Sequence, residues 1–204
     1  MPSWRREGTK WPLSSEKWGI KRVAARRHGR LMLVVEGFNG YRLDIPEDRH
    51  YLPGIEIWVH AREENLLVFG LTQAGVILAG GVTSLEFLVV EGQSVSTGEA
   101  VAFAVTSKVK YIDTPLAGVI FSLNRAVIDH PALFQEDPYG KAWIFSLRLS
   151  GSMNLSDRFL DPVSYHQGLL RSEACGNPQG LKGGASPTCR TIYSSIRSQK
   201  KGDA

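Results

Sequence analysis

The sequence predicts a mainly β protein, a compact antiparallel sandwich or barrel with a few short helices. Three observations predict it. Short β-prone runs recur from residue 31 to residue 150, separated by Gly- and Pro-bearing turns. One run, Ala100 to Val105, alternates strictly, with Ala100, Ala102 and Ala104 small and Val101, Phe103 and Val105 large. That two-residue period gives each face of a strand a different neighbour. Helical readings are confined to three stretches, and short strands with frequent turns form layered β structures.

In chain order, Leu31 to Glu36 reads as a strand, and Gly37-Phe38-Asn39-Gly40 as a turn. Tyr41 to Leu43 is extended, and Pro46 and Pro53-Gly54 break the chain. Ile55 to His60 is a strand, Ala61 to Asn65 a polar hairpin loop, and Leu66 to Leu71 the returning strand. Thr72 to Ala79 fits one helix, with Thr72 as N-cap and Gly80-Gly81 ending it. Val82 to Val90 is a strand, with turns at Glu91-Gly92-Gln93 and Thr97-Gly98-Glu99. After the alternating strand, lysines interrupt the pattern at Ser107-Lys108-Val109-Lys110; Tyr111-Ile112 resumes it up to the bend from Pro115 to Gly118. Val119 to Leu123 alternates, and Asn124 to His130 is a helical turn stopped by Pro131. Gln135 to Gly140 is a polar turn. Trp143, Phe145, Leu147 and Leu149 alternate with Ile144, Ser146 and Arg148 in a last long strand, where Trp143, Phe145 and Leu147 are core candidates. Leu155 to Leu170 reads as a terminal helix.

Charge divides the chain. Residues 1–30 carry nine Lys/Arg against Glu7 and Glu16, and residues 171–204 carry six against Glu173 and Asp203. The body, residues 31–170, has nine basic and sixteen acidic residues. The overall positive sign belongs to the ends, and an acidic body repels phosphate, which argues against nucleic acid as partner of the folded part. Trp4, Trp11 and Trp18 are seven apart, but Gly8 and Pro12 oppose a continuous helix, so residues 1–30 are expected to be a basic, flexible extension. Residues 171–204 are Gly-, Ser-, Lys- and Pro-rich and are expected to form a disordered basic tail.

No apolar run approaches the roughly 20 residues that span a bilayer, and no signal-peptide core follows Met1. The expectation is a soluble, cytoplasmic protein with no membrane partner. Cys175 and Cys189 lack partners at metal-ligand spacing. The five histidines are scattered, and no nucleophile–base arrangement or phosphate loop stands out, so neither catalysis nor a metal is expected. The chemistry-bearing feature is the lysine-bearing hairpin tip, where a swinging prosthetic group could attach; a lysine pair there is also what a solvated turn carries.

Four ordered blocks give these residues a family. Ile57-Trp58-Val59-His60, Phe69-Gly70-Leu71-Thr72, and Val95-Ser96-Thr97-Gly98-Glu99 with Ala102-Phe103-Ala104 are three of them. The fourth runs from Pro115-Leu116-Ala117-Gly118 through Asn124 and Pro131-Ala132-Leu133 to Glu136-Asp137-Pro138-Tyr139-Gly140-Lys141-Ala142-Trp143-Ile144. Together they resemble the glycine cleavage system H-protein family over residues 41–170. The resemblance implies a flattened β-sandwich of the lipoyl/biotinyl-carrier type, a barrel-sandwich hybrid. It implies a non-catalytic carrier with covalent lipoate on a hairpin lysine. The partners it implies are a glycine decarboxylase, an aminomethyltransferase and a dihydrolipoamide dehydrogenase, between which an aminomethyl group is shuttled in glycine catabolism, together with a lipoate-attaching enzyme.

At the tip the chain departs from the family. Ser107 matches the family serine, Thr106 stands where a glutamate is usual, and the loop before Pro115 is shortened. Lys108, offset toward the first arm of the hairpin like the family lysine, is the preferred attachment site. Lys110, midway between Val105 and Pro115, is the second choice. Two further readings remain open: an H-like lipoate-binding protein of a sulfur-oxidation pathway, and a degenerate H-like interaction module without lipoate. A biotin carrier is disfavoured because the Met-Lys-Met tip is missing.

Overall fold

The structure is a computed structural model that describes residues 25–27, 30–63 and 65–180, with side chains from Leu31 onward. Residues 1–24 and 181–204, and with them Trp4, Trp11, Trp18 and Cys189, lie outside the described residues.

Three antiparallel sheets make up the body. The first joins β1 (Ala25–Arg27), β2 (Arg30–Phe38) and β3 (Tyr41–Pro46) in that order. Strands β4 (His50–Leu52), β5 (Ile57–Glu63) and β6 (Leu66–Leu71) begin the largest sheet, which β12 (Trp143–Arg148), β11 (Gly118–Leu123) and β8 (Ser94–Val95) complete in the order β4-β5-β6-β12-β11-β8. The third places β9 (Ala100–Val105) between β10 (Val109–Asp113) and β7 (Ser84–Phe87). Helices α1 (Gln73–Leu78), α2 (Ala126–Asp129), α3 (Leu133–Glu136) and α4 (Pro162–Leu170) are short.

The main core lies between the largest sheet and the β7-β9-β10 sheet. Phe69 and Phe145 stack there at 4.8 Å, with Leu67, Leu147, Ile120, Ile112 and Ala104 among their buried company. A second core, around Val35, Leu43, Trp58, Tyr51 and Tyr165, joins the β2–β3 hairpin to α4. In β9, Val101, Ala102 and Ala104 are fully buried in the main core, while Ala100, Phe103 and Val105 are half-buried; two successive residues are buried where the pairing with β10 slips between Ala100 and Ala102. Strand β12 is flanked on both sides, by β6 and β11, and both of its faces are covered. Ile144 is therefore as buried as Phe145 and Leu147, and Trp143 is the partly exposed member.

Several boundaries differ from the sequence expectation for identifiable reasons. Strand β2 runs through a register irregularity between Val35 and Phe38, leaving only Asn39-Gly40 as the turn. Strand β5 extends into the expected polar loop because Ala61 and Glu63 still pair with Leu67 and Leu66. The expected helix from Leu155 to Leu170 is broken. A 3₁₀ turn covers Leu155–Asp157, and Leu160 then exchanges backbone hydrogen bonds with Tyr51 at 2.8 and 2.9 Å. Asp161 caps a fresh helix that starts on Pro162, where proline's missing N–H costs nothing. The chain also stays packed past residue 170. Asn39 N–H donates to Ala174 O at 2.8 Å, and Asn177 Nδ2 donates to Asn39 Oδ1 at 3.1 Å, so residues 171–180 belong to the fold and not to a tail.

Candidate functional site: the lysine-bearing hairpin

The β9–β10 hairpin closes with Val105 opposite Val109, so its tip is the three residues Thr106, Ser107 and Lys108. Thr106 organises it. Its N–H and its hydroxyl both donate to Lys108 O at 2.8 Å, and its Oγ1 accepts from Lys108 N at 3.1 Å. Ser107 braces the tip against α1, its hydroxyl donating to Ala79 O at 3.3 Å. Ala79 is the C-cap of that helix, where carbonyls lack intrahelical partners.

The two candidate lysines occupy different environments. Lys108 is exposed in the tip, and among the described residues its amine makes no hydrogen bond or ion pair. Counting residues puts Lys110 at the hairpin midpoint; the register instead puts it inside β10, opposite Ala104 on the core-facing side. It is half-buried, and its ammonium donates to Ile55 O at 3.3 Å. Burial pulls its pKa below the ordinary lysine value, and the negative charge of Glu56 opposes that shift.

Below the tip lies a cleft of about 400 Å³, whose lining includes Lys108, Lys110, Ser107, Leu78 and Glu56. Glu56 has φ 57°, in the left-handed region that a non-glycine residue adopts only when its surroundings hold it there. Its Oε2 accepts from the hydroxyls of Thr72 at 2.7 Å and Tyr165 at 2.6 Å. Thr72 also caps α1, accepting from Gly75 N at 2.9 Å. One hydroxyl thus fixes both the helix start and the carboxylate. The sequence reading gave Thr72 its capping role but missed Glu56 and Tyr165. Glu56 sits in a run that reads as plain strand, and Tyr165 is 109 residues away. Among the described residues no group of His, Cys, Asp and Glu is arranged to hold a metal ion, and no helix is long and apolar enough to cross a membrane.

The glycine cleavage H-protein family model matches residues 49–170. The chain belongs to the glycine cleavage H-protein family. A glycine cleavage system H protein of Thermus thermophilus is 38% identical over 133 residues, covering 65% of this chain and 100% of that relative. The probable glycine cleavage system H protein 1 of Saccharolobus solfataricus is 30% identical over 119 residues, covering 58% of this chain and 85% of the relative. The crystal structure of a glycine cleavage system H protein from Mycobacterium marinum superposes with a TM-score of 0.51 at 28% identity, covering 61% of this chain and 97% of that one. The expected fold and family are therefore found, and membership supports a lipoyl-carrier role in the glycine cleavage system.

Proposed function

We propose that Lys108 carries lipoate in amide linkage. The protein then serves glycine cleavage as a non-catalytic carrier, presenting the arm in turn to a glycine decarboxylase, an aminomethyltransferase and a dihydrolipoamide dehydrogenase. A lipoate-attaching enzyme is the partner that modifies it. The observation that carries this reading is the contrast between the lysines. The Lys108 amine is exposed and unengaged among the described residues, whereas the Lys110 ammonium is half-buried against Ile55 O. An attaching enzyme must reach a free amine, and Lys110 would have to break its contact and leave the core-facing side of its strand.

When bound, lipoate supplies a dithiolane on a long tether, and amide formation removes the lysine charge. The residues of this chain supply presentation. Thr106 fixes the turn, Ser107 ties it to α1, and the Ala102–Ala104 face anchors the hairpin on the core. Intact mass and peptide mapping of protein made in lipoate-supplied cells test the reading. One lipoyl increment is expected, lost in Lys108→Arg and retained in Lys110→Arg. An unmodified wild-type chain, or an increment mapping to Lys110, would overturn it.

A further inference from the structure

Helix α1 ends at the cap that holds the hairpin tip, and it begins at Gln73, in the wall of a separate groove of about 490 Å³. Met32, Leu133 and Pro138 give this groove apolar walls. Asp44, Glu136 and Asp137 place three carboxylates around it, against the one lysine of the lining, Lys141. We propose that the groove is the seat of the chain's own N-terminal segment, residues 1–24, held there by its basic side chains. The seat lies outside the carrier reading, since it uses neither lysine of the hairpin.

Two observations choose this occupant. The first is charge. Residues 1–24 carry six Lys/Arg against Glu7 and Glu16, whereas Glu136 is exposed and, among the described residues, neither it nor Asp137 forms an ion pair. The second is the point of entry. Strand β1 starts at Ala25, and Ala25 pairs with Met32, a residue of the groove wall. The segment therefore joins the fold at the groove's edge. Arg22 and Lys21 precede Ala25 by three and four residues, and extended chain covers at most about 3.3–3.6 Å per residue, so these two cations have a reach of roughly 10–14 Å from that edge. Trp18, just beyond them, brings a large apolar surface to the same walls. The basic C-terminal segment departs elsewhere. Gly180 lies against the Asn39-Gly40 turn, at the far end of β2 from Met32 and roughly 20 Å along the strand. Occupancy of the groove bears on the hairpin through α1. Gln73 Oε1 accepts from Asp44 N at 2.9 Å, and Gln73 N–H donates to Tyr139 Oη at 3.1 Å. A seated segment covers these contacts and so steadies the helix that braces the tip.

Amide hydrogen exchange of the full chain over residues 133–141 tests the seat, because those amides are held only by short local turns that a covering segment would keep closed. Lys21→Glu with Arg22→Glu should speed exchange there on the order of fivefold, the size of two partly screened ion pairs. Glu136→Lys, at an exposed position, should also speed it, and joining it to Lys21→Glu and Arg22→Glu should restore the slow exchange. In the parent, a carbodiimide should link Lys17 or Lys21 to Glu136 or Asp137 within one chain. Exchange unchanged by Lys21→Glu with Arg22→Glu, or a charge swap that restores nothing, would overturn the inference. So would protection that rises with protein concentration, which marks a second copy, or protection lost instead in Lys182→Glu with Arg190→Glu, which marks the C-terminal segment. Whether Lys108 accepts lipoate is decided separately by intact mass, so failure of the carrier reading and failure of this one are distinguishable.

Discussion

Removing one hydroxyl tests whether the C-terminal helix holds the cleft together. Tyr165 is 2% exposed, its ring stacks on Tyr51 at 4.3 Å, and its hydroxyl donates to Glu56 Oε2 at 2.6 Å. Tyr165→Phe keeps the ring and its stacking, and deletes only the donor. Burial pushes the phenol pKa far above its ordinary value, so the hydroxyl remains a donor through the neutral range. A hydrogen bond to a charged acceptor contributes about 1.5–3 kcal/mol. The carboxylate left behind keeps the Thr72 hydroxyl as a partner, which places the loss toward the lower end. For a domain of this size each kcal/mol moves Tm by about 2–4 °C, so the expected drop is about 3–8 °C. Urea unfolding should show a shifted midpoint with an unchanged slope. In a double-mutant cycle with Glu56→Gln the two losses should fall short of additivity by more than 0.5 kcal/mol, roughly the scatter of independent sites. A Tyr165→Phe variant as stable as the parent, or a strictly additive cycle, would refute the account.

Three other perturbations separate packing from capping and from bracing. Gly70→Ala would place a Cβ 2.5 Å from Trp58 Cζ2, while the indole is pinned by its Nε1–H donating to Pro138 O at 3.0 Å and by the Arg49 guanidinium 4.2 Å over the ring; overpacking of this kind should cost about 1–3 kcal/mol in urea unfolding. Asp161→Ala removes the acceptor of the Val163 and Ser164 N–H groups and should cost about 1 kcal/mol at neutral pH. Those hydrogen bonds, led by that from the Ser164 hydroxyl, hold the Asp161 pKa below its ordinary value, so its stabilisation is fully present above about pH 3.9 and is lost as pH falls through the lowered folded value; a gap between variant and parent that stays constant down to pH 2 would count against the cap. Ser107→Ala should leave global stability within about 0.5 kcal/mol, since the residue is exposed, yet speed amide exchange at residues 106–109 by removing the hydroxyl contact with Ala79 O and leaving only the longer one from the Ser107 N–H at 3.5 Å.

Local rules made much of the fold readable. Leu66–Leu71, an apolar run after a polar hairpin loop, and the helix after Thr72 stand where the run, the cap and the glycine punctuation put them. The differences arise where a distant partner decides. Leu160 is extended because Tyr51 pairs with it across the chain, which no local period of Leu155–Leu170 encodes. Residues 171–180 are polar and glycine-bearing, yet they pack because the Asn39 turn offers both a backbone donor and a side-chain acceptor. In Ala100–Val105 the period was plain, but which face lay inward was not. Ala102 and Ala104 fill the core together with Val101, and Val101 and Ala102 are both buried where the pairing with β10 slips, a break that no local period encodes.

The same period bears on the lysines. Strand β10 alternates with Ile112 buried and Val109 and Tyr111 about 60% exposed. Lys110, two residues before Ile112, must share its inward face. Counting residues to the hairpin midpoint ignored this, whereas the alternation of Tyr111 and Ile112 already carried it. An inward lysine at the open end of a sheet has the cleft to occupy, and its amine is engaged there by Ile55 O. Lys108 lies beyond the last paired residues and escapes that periodic constraint, which leaves its amine free to extend. The different environments of the two lysines therefore follow from a single fact of register, Val105 opposite Val109. Shifting that pairing by one residue would exchange the faces of the strand and turn Lys110 outward.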